Sequence, residues 1–227
     1  TNIFGFDSVG FFAFLGAILV TLFIVLISAL FGKTNTTTIL LSGMALNAIC
    51  GACISLLISV FADAERIQNV TFWLMGSLQN ADWYNISVLA IVVIPTSIYF
   101  IKNTRMLNLM LLGDNVAVTL GYQISGARIK FIVLCSVVVG LVVYNSGIIG
   151  FVGLLVPYIA RLLYGDNYKY ILLKSVSIGA LFVAVADVIS RVAIDGSEIP
   201  IGIVVSVIGA PIFVYLLISR NYGFNKR

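Results

Sequence analysis

The sequence predicts an all-α protein, a polytopic bundle of transmembrane helices, and three observations carry that expectation. Of its 227 residues, 61% are hydrophobic and 10% charged, with a mean hydropathy of +1.13; soluble domains carry about 25% charged residues. Uncharged runs are long, 24 residues over 8–31 and 30 residues over 131–160. The basic residues gather on alternate connections between such runs, as they do when one side of a membrane holds the positive loops.

Taken in order, residues 1–7 read as an external loop and 8–31 as a spanning helix, since about 20 apolar residues cross a hydrocarbon core of about 30 Å. A polar connection follows at 32–37. Residues 38–62 form the second span, on which Ala45, Ala48, Ala52 and Ser55 recur at helical spacing, a face that lets helices pack closely. Residues 63–83 are more polar, and Trp73 and Trp83 suit an interfacial segment. Residues 84–101 span again, with a kink expected at Pro95. Residues 102–130 are the longest non-spanning stretch, expected to be a structured loop with one or two short helices.

As one helix the run 131–160 would be about 45 Å long, well beyond the hydrocarbon core, and Asn145-Ser146-Gly147 falls in its middle. It is expected to divide into 131–144 and 148–161, joined by a tight turn. Gly147, Gly150 and Gly153 would let backbones approach closely, and Pro157 would sit inside a short second segment ending at Arg161. Residues 168–191 span, with Lys174 near the start and Asp187 and Arg191 near the end. Residues 199–219 are the last of about seven spans, and 221–227 form a basic tail. With the tail in the cytoplasm, internal loops and helix ends hold 11 of the 13 basic residues, leaving Arg66 and Arg191 outside. The chain is therefore expected to be a multi-pass protein of the cell (inner or cytoplasmic) membrane with a cytoplasmic C-terminus and an external Thr1.

Several chemistries are excluded. There is no histidine, hence no imidazole metal site or haem ligand, and neither a cofactor nor a resident metal is expected. Cys50, Cys53 and Cys135 lie in apolar runs. The Cys50–Cys53 spacing matches a redox pair but has no thioredoxin-like βαβ context, so it reads as small-residue packing. No HExxH and no pair of membrane aspartates supports an intramembrane enzyme, and no GxxxxGK[ST] loop supports ATP chemistry in this chain. The net charge of +4 marks membrane topology here, and no nucleic acid is expected as a partner.

Five blocks carry more specific information. The string Gly147-Ile148-Ile149-Gly150-Phe151-Val152-Gly153-Leu154-Leu155-Val156-Pro157-Tyr158-Ile159-Ala160-Arg161 resembles the G-x-I-G-F-V-G-L-x-V-P-H-I-A-R signature of FecCD-type permeases, subunits of iron–siderophore, haem and cobalamin ABC importers. Tyr158 stands where the family usually has histidine, so no pH-linked role of that histidine is carried over to this position. Trp73-Leu74-Met75-Gly76-Ser77-Leu78 with Ala81-Asp82-Trp83 resembles the family's W-x-x-G-S-L-x-x-A-x-W block. Gly113, Asp114, Ala117, Leu120 and Gly121 fall in a loop similar to its A-x-x-L-G segment. Ala186-Asp187 with Arg191 resembles A-D-x-x-A-R. Glu198-Ile199-Pro200-Ile201-Gly202-Ile203-Val204 with Gly209-Ala210-Pro211 resembles E-L-P-V-G-I-V and G-A-P. The blocks occur in family order along the whole chain.

The resemblance implies a ten-span permease of which this chain supplies spans four to ten. The R-x-P-R and N-P-L-A-x-P blocks are absent and Thr1 stands in place of methionine, so an N-terminal portion is expected to be missing. It further implies cytoplasmic ATP-binding subunits that hydrolyse ATP, an extracytoplasmic substrate-binding protein, and pairing with a second permease copy or a homologue, all within membrane lipid. The permease itself is then no enzyme. Its cargo would be an iron–siderophore complex, with haem or cobalamin as alternatives of the same class.

Within that reading, 102–130 is the loop coupling the permease to the ATPase, with Gly113, Asp114, Ala117, Leu120 and Gly121 at its contact. Thr36 and Thr37 lie where the family places a cytoplasmic gate; they are equally able to cap the following helix, and both readings stand. Glu65, Arg66, Asp195 and Glu198 could meet the binding protein by complementary charge or remain solvated. Gly147, Gly150, Gly153, Pro157, Arg161, Asp187, Arg191, Pro200, Gly202, Gly209 and Pro211 are structural motif positions. Asp187 is a membrane acid and so a candidate functional group, but Arg191 one turn away favours a locally neutralised pair. A secondary transporter coupled to protons or sodium is the alternative class, and Asp187 is its one candidate acid.

Overall fold

The computed structural model describes residues 2–3, 6–30, 36–61, 63–79, 81–122, 124–194 and 199–223. Two two-residue strands, β1 (Asn2–Ile3) and β2 (Phe6–Asp7), pair antiparallel with Asn2 opposite Asp7. All other regular structure among the described residues is helical: α1 (Ser8–Leu30), α2 (Thr36–Phe61), α3 (Ala64–Leu74), α4 (Trp83–Lys102), α5 (Thr104–Leu111), α6 (Asp114–Thr119), α7 (Ile124–Ser146), α8 (Val152–Tyr164), α9 (Tyr168–Val192) and α10 (Ile201–Gly223). Five of these, α1, α2, α4, α7 and α9, are long and apolar enough to cross a membrane. Helix α8 and the apolar part of α10, Ile201–Leu216, are shorter.

The chain forms two units, residues 1–71 with 81–145, and residues 72–80 with 146–227. In the first, α1 packs on α2, and Gly10 and Gly140 let α1 and α7 approach. A Cβ at Gly140 would lie 2.9 Å from the Phe14 ring. Phe100 and Tyr99 of α4 meet Phe131 of α7 at ring-centroid distances of 5.1 and 6.0 Å. Much of this unit's apolar surface is uncovered, as in Leu19, Leu40, Leu57, Phe61 and Ile91. That is the expected state of helices whose solvent is lipid rather than water. The small-residue face of α2 (Ala45, Ala48, Ala52 and Ser55) is exposed too, so no described element uses it for close packing.

In the second unit, α8 and α9 form a hairpin closed by residues 165–167, and α10 packs on both. Asn167 caps α9, its side-chain oxygen accepting from the Lys169 N–H at 3.0 Å. Ala186, Ile201, Val204 and Val205 form a buried core, with Phe151, Phe182 and Ile208 against it.

Two expectations need correction. Helix α7 begins at Ile124, so the last residues of the 102–130 stretch are helix rather than loop. Arg128, on the second turn, is 8% exposed, and its aliphatic stem lets a charged residue join an apolar helix. The division of the run 131–160 is also different in kind. Residues 147–150 carry no regular structure and α8 starts only at Val152. The connection is a non-helical segment of several residues, not a tight turn. The 13 residues of α8 make it about 20 Å long, short of a hydrocarbon core.

Candidate functional site

Two places gather the motif residues. The first is a backbone junction in the second unit. Gly147 has φ +66, and a Cβ there would overlap the Trp73 carbonyl oxygen. Gly76, φ +74, faces the carbonyls of Ser146 and Ile148. Gly202, in the first turn of α10, has no room for a Cβ beside the Met75 carbonyl, to which its own N–H donates at 3.0 Å. Ser77 donates its N–H to the Ser146 carbonyl at 2.9 Å. Three segments far apart in sequence are thus pinned backbone to backbone, and only glycine allows that approach. Of the three glycines expected to do this in the signature, Gly147 does. Gly150 and Gly153 have nothing within 4 Å of where a Cβ would be. Gly209 accommodates Phe151: a Cβ at Gly209 would lie 3.3 Å from the Phe151 Cβ.

Phe151 enters α8 through a strained turn. Its φ of 60° and ψ of −30° are rare for a bulky residue, and Val152 donates its N–H to the Gly150 carbonyl at 2.7 Å across it. This is a γ-turn of positive φ, which costs about 1–3 kcal/mol. The buried contacts of α8, Leu155, Val156 and Ala160, hold it in place. Nothing in the sequence short of the motif itself marks this strain. Pro157 and Pro211 lie inside α8 and α10, and Pro200 stands just before α10. The Tyr158 hydroxyl donates to the Leu216 carbonyl at 3.4 Å, and its ring meets Phe213 edge-on at 5.7 Å. Arg161 pairs with Asp166 at 3.3 Å. Arg191 grips Asp187 with two hydrogen bonds of 2.9 and 3.3 Å, so the membrane acid is engaged with its own helix.

The second place is the helical ledge of α5 and α6 in the first unit. Gly113 (φ +92) and Gly121 (φ +81) bracket α6 and let the chain reverse at each end. Ala117 is fully buried and its carbonyl accepts from the Tyr122 N–H at 3.0 Å. The Arg105 guanidinium lies 6.0 Å from the centre of the Tyr122 ring, tying α5 to the approach to α7. Within ten residues, Leu111, Leu112, Val116 and Leu120 are all large, apolar and exposed, Leu112 at 59% and Leu120 at 56%. Asp114 opens α6; its side chain lies outside the described part.

The described part reaches the remaining expected site residues only in part. Thr36 and Thr37 lie in the first turn of α2 rather than before it, so neither is the residue preceding the helix; Thr37 is exposed and the side chain of Thr36 lies outside the described part. Glu65 and Arg66 fall on α3 with their side chains outside the described part, and Asp195 and Glu198 lie outside the described residues. Cys50, Cys53 and Cys135 are free thiols. Among the described residues no cluster of acids and cysteines could hold a metal ion.

Comparison with known proteins fits this architecture. The FecCD transport family model matches residues 2–219. The haemin transport system permease HmuU of Yersinia pestis is 33% identical over 209 residues, 92% of this chain and 62% of its own. The vitamin B12 import system permease BtuC of Vibrio cholerae is 36% identical over 210 residues, again 92% and 62%. The chain thus spans about three-fifths of the length of these relatives. A solved structure of an inward-facing transporter, described as of the metal-chelate ABC type, superposes with a TM-score of 0.79 at 28% identity, covering 91% of this chain and 72% of that one. Together with its long apolar helices, these likenesses make the protein a multi-pass membrane protein, and the chain belongs to the FecCD transport family.

Proposed function

We propose that the chain is part of the membrane permease of an ABC importer for a metal chelate. The family match over residues 2–219, reinforced by relatives named for haemin and vitamin B12, carries this reading. Those relatives put metal-centred tetrapyrrole-type cargo, haem or cobalamin, ahead of the iron–siderophore complex that the motifs alone suggested. The cargo crosses between two permease copies or homologues, delivered by an extracytoplasmic binding protein. Energy comes from a separate ATPase, since this chain has no phosphate-binding loop.

The ledge supports an ATPase contact. Four exposed apolar side chains on α5, α6 and the residues flanking them form a surface that a protein partner would cover, and the basic residues Lys102, Arg105 and Lys130 favour a cytoplasmic position for that end of the unit. The orientation with the C-terminus inside follows from the same distribution. Seven crossings then require residues 147–151 to make up part of the membrane depth that α8 does not. Non-helical backbone is tolerated there when buried in protein, and the glycine junction supplies such cover for Gly147.

The test is uptake of labelled haem, cobalamin and iron–siderophore in a strain deleted for the full-length gene. Failure with one cargo, restored only by the intact gene together with its ATPase, establishes the importer and names the cargo. Uptake that survives ATPase removal but collapses with an ionophore would establish an ion-coupled transporter instead.

A further inference from the structure

We infer that the seam between α4 and α7 is a binding site for one anionic phospholipid. Pro95, Thr96 and Tyr99 of α4 and Ile129, Lys130, Val133 and Leu134 of α7 line a groove of about 560 Å³. That volume is within the range of built small-molecule sites, about 300–1,000 Å³. The groove has a structural origin. Pro95 has no N–H to give the Ile91 carbonyl and so disrupts the helix wall. The Thr96 hydroxyl turns back to the Val92 carbonyl at 2.7 Å, leaving its methyl for the groove. The aromatic stack of Phe100 and Tyr99 on Phe131 holds the two helices together beside it.

The occupant follows from the lining. Both helices are of spanning length and composition, so where the assembled protein leaves this apolar groove open it meets acyl chains. Among the described lining residues the single charged group is the exposed Lys130, on the second turn of α7, and Lys102 ends α4 three residues beyond Tyr99. Between residues 83 and 165 the sequence holds one carboxylate, Asp114. A cation at the mouth of an apolar groove, in a region almost free of acids, selects an amphiphile with an anionic head: the acyl chain lies along Val133 and Leu134 and the phosphate meets the Lys130 ammonium. This inference rests on the chain spanning a membrane and not on the importer reading; uptake can fail while the lipid still binds.

The test uses the full-length protein with its partners. A photoreactive p-benzoylphenylalanine at Val133 is activated in vesicles of equal phosphatidylglycerol and phosphatidylcholine, and adducts are identified by mass. A phosphatidylglycerol adduct in excess is expected. Its preference should fall about fivefold in Lys130→Gln, the worth of about one cationic contact at a membrane surface, and persist in Lys169→Gln. Equal adducts of both lipids, or a preference unchanged by Lys130→Gln, would overturn the proposal. So would adducts only to protein, which would make the occupant another segment or a second copy. Should Lys130→Gln fail to fold, native mass spectrometry of the unsubstituted protein with the two lipids decides without a variant: retained phosphatidylglycerol in excess supports the site, and equal retention overturns it.

Discussion

The two units hold themselves together by different means. In the first, long apolar helices meet mostly through side chains, and at the two tightest glycines the nearest neighbour is a ring, Tyr144 at Gly10 (with the Tyr144 carbonyl behind it at 3.0 Å) and Phe14 at Gly140. Such a contact can give, because an aromatic ring at the end of a rotatable bond moves at modest cost. In the second, glycines meet backbone: Gly147 the Trp73 carbonyl, Gly202 the Met75 carbonyl, Gly76 the carbonyls of Ser146 and Ile148. Backbone cannot step aside without moving a whole segment. The first unit is therefore tolerant and the second is keyed, and three of the five family-like blocks, 73–78, 147–161 and 198–211, contain the glycines of these keys.

The largest effects should come from breaking a key. Gly202→Ala places a methyl on the Met75 carbonyl and displaces the 3.0 Å hydrogen bond beside it. Overpacking and a lost buried hydrogen bond together cost about 3–5 kcal/mol. Gly147→Ala adds positive-φ strain to a backbone overlap and should cost about 3 kcal/mol. Both should abolish monodisperse full-length protein in detergent, whereas Gly140→Ala, which meets only the Phe14 ring, should leave it folded with a lower thermal midpoint. Equal loss in all three would erase the distinction between the units.

On the ledge the fold should survive and the partner should not. Val116→Asp with Leu120→Asp changes only exposed side chains. We expect at least about a tenfold loss in affinity for the ATPase subunit, about 1.4 kcal/mol, with an unchanged thermal midpoint. Pull-down from the intact complex measures it, and undiminished capture would show that the apolar edge faces lipid or another partner.

A third substitution tests the signature glycines from the opposite side. Gly153 lies in the first turn of α8 with open space where a Cβ would go. Gly153→Ala should raise stability by about 0.5–1 kcal/mol, through helix preference and a less free unfolded chain. A destabilised protein would mean that Gly153 is covered in the assembled transporter by something outside this chain.

The helices were legible because uncharged length is a one-dimensional property: α1, α4 and α9 lie within two residues of their expected bounds. The family blocks were legible as strings, yet their geometry was not. Glycines 147, 150 and 153 look alike in sequence, and only the approach of residues 73–76, set by the tertiary fold, separates Gly147 from the other two. The early start of α7 was hidden by Arg128 and Lys130, whose charges read as loop although their stems pack along a helix. The strained turn at Phe151 has no local signal, since nothing in an aromatic residue asks for positive φ. Conversely, the Asp187–Arg191 pair was readable from i,i+4 spacing alone, because one helical turn contains both partners.

That pair carries the smallest expected effect, and it separates two classes of transporter. The partners are accessible in this chain, with side chains 25% and 45% exposed, and joined at 2.9 Å. Exposed i,i+4 pairs contribute about 0.3–0.5 kcal/mol, so Asp187→Asn should barely shift the thermal midpoint. Arg191→Gln should do no more, and in a double-mutant cycle the two should couple by less than about 1 kcal/mol. If ATP drives transport, uptake in Asp187→Asn should stay close to the parent value at every external pH. A carrier that couples protons through Asp187 would instead lose its pH dependence with this one substitution, since Asp187 is the one acid inside the long apolar helices described in this chain. Retained uptake would leave Asp187 a structural partner of Arg191, a local side-chain contact inside the unit whose other ties are glycine keys.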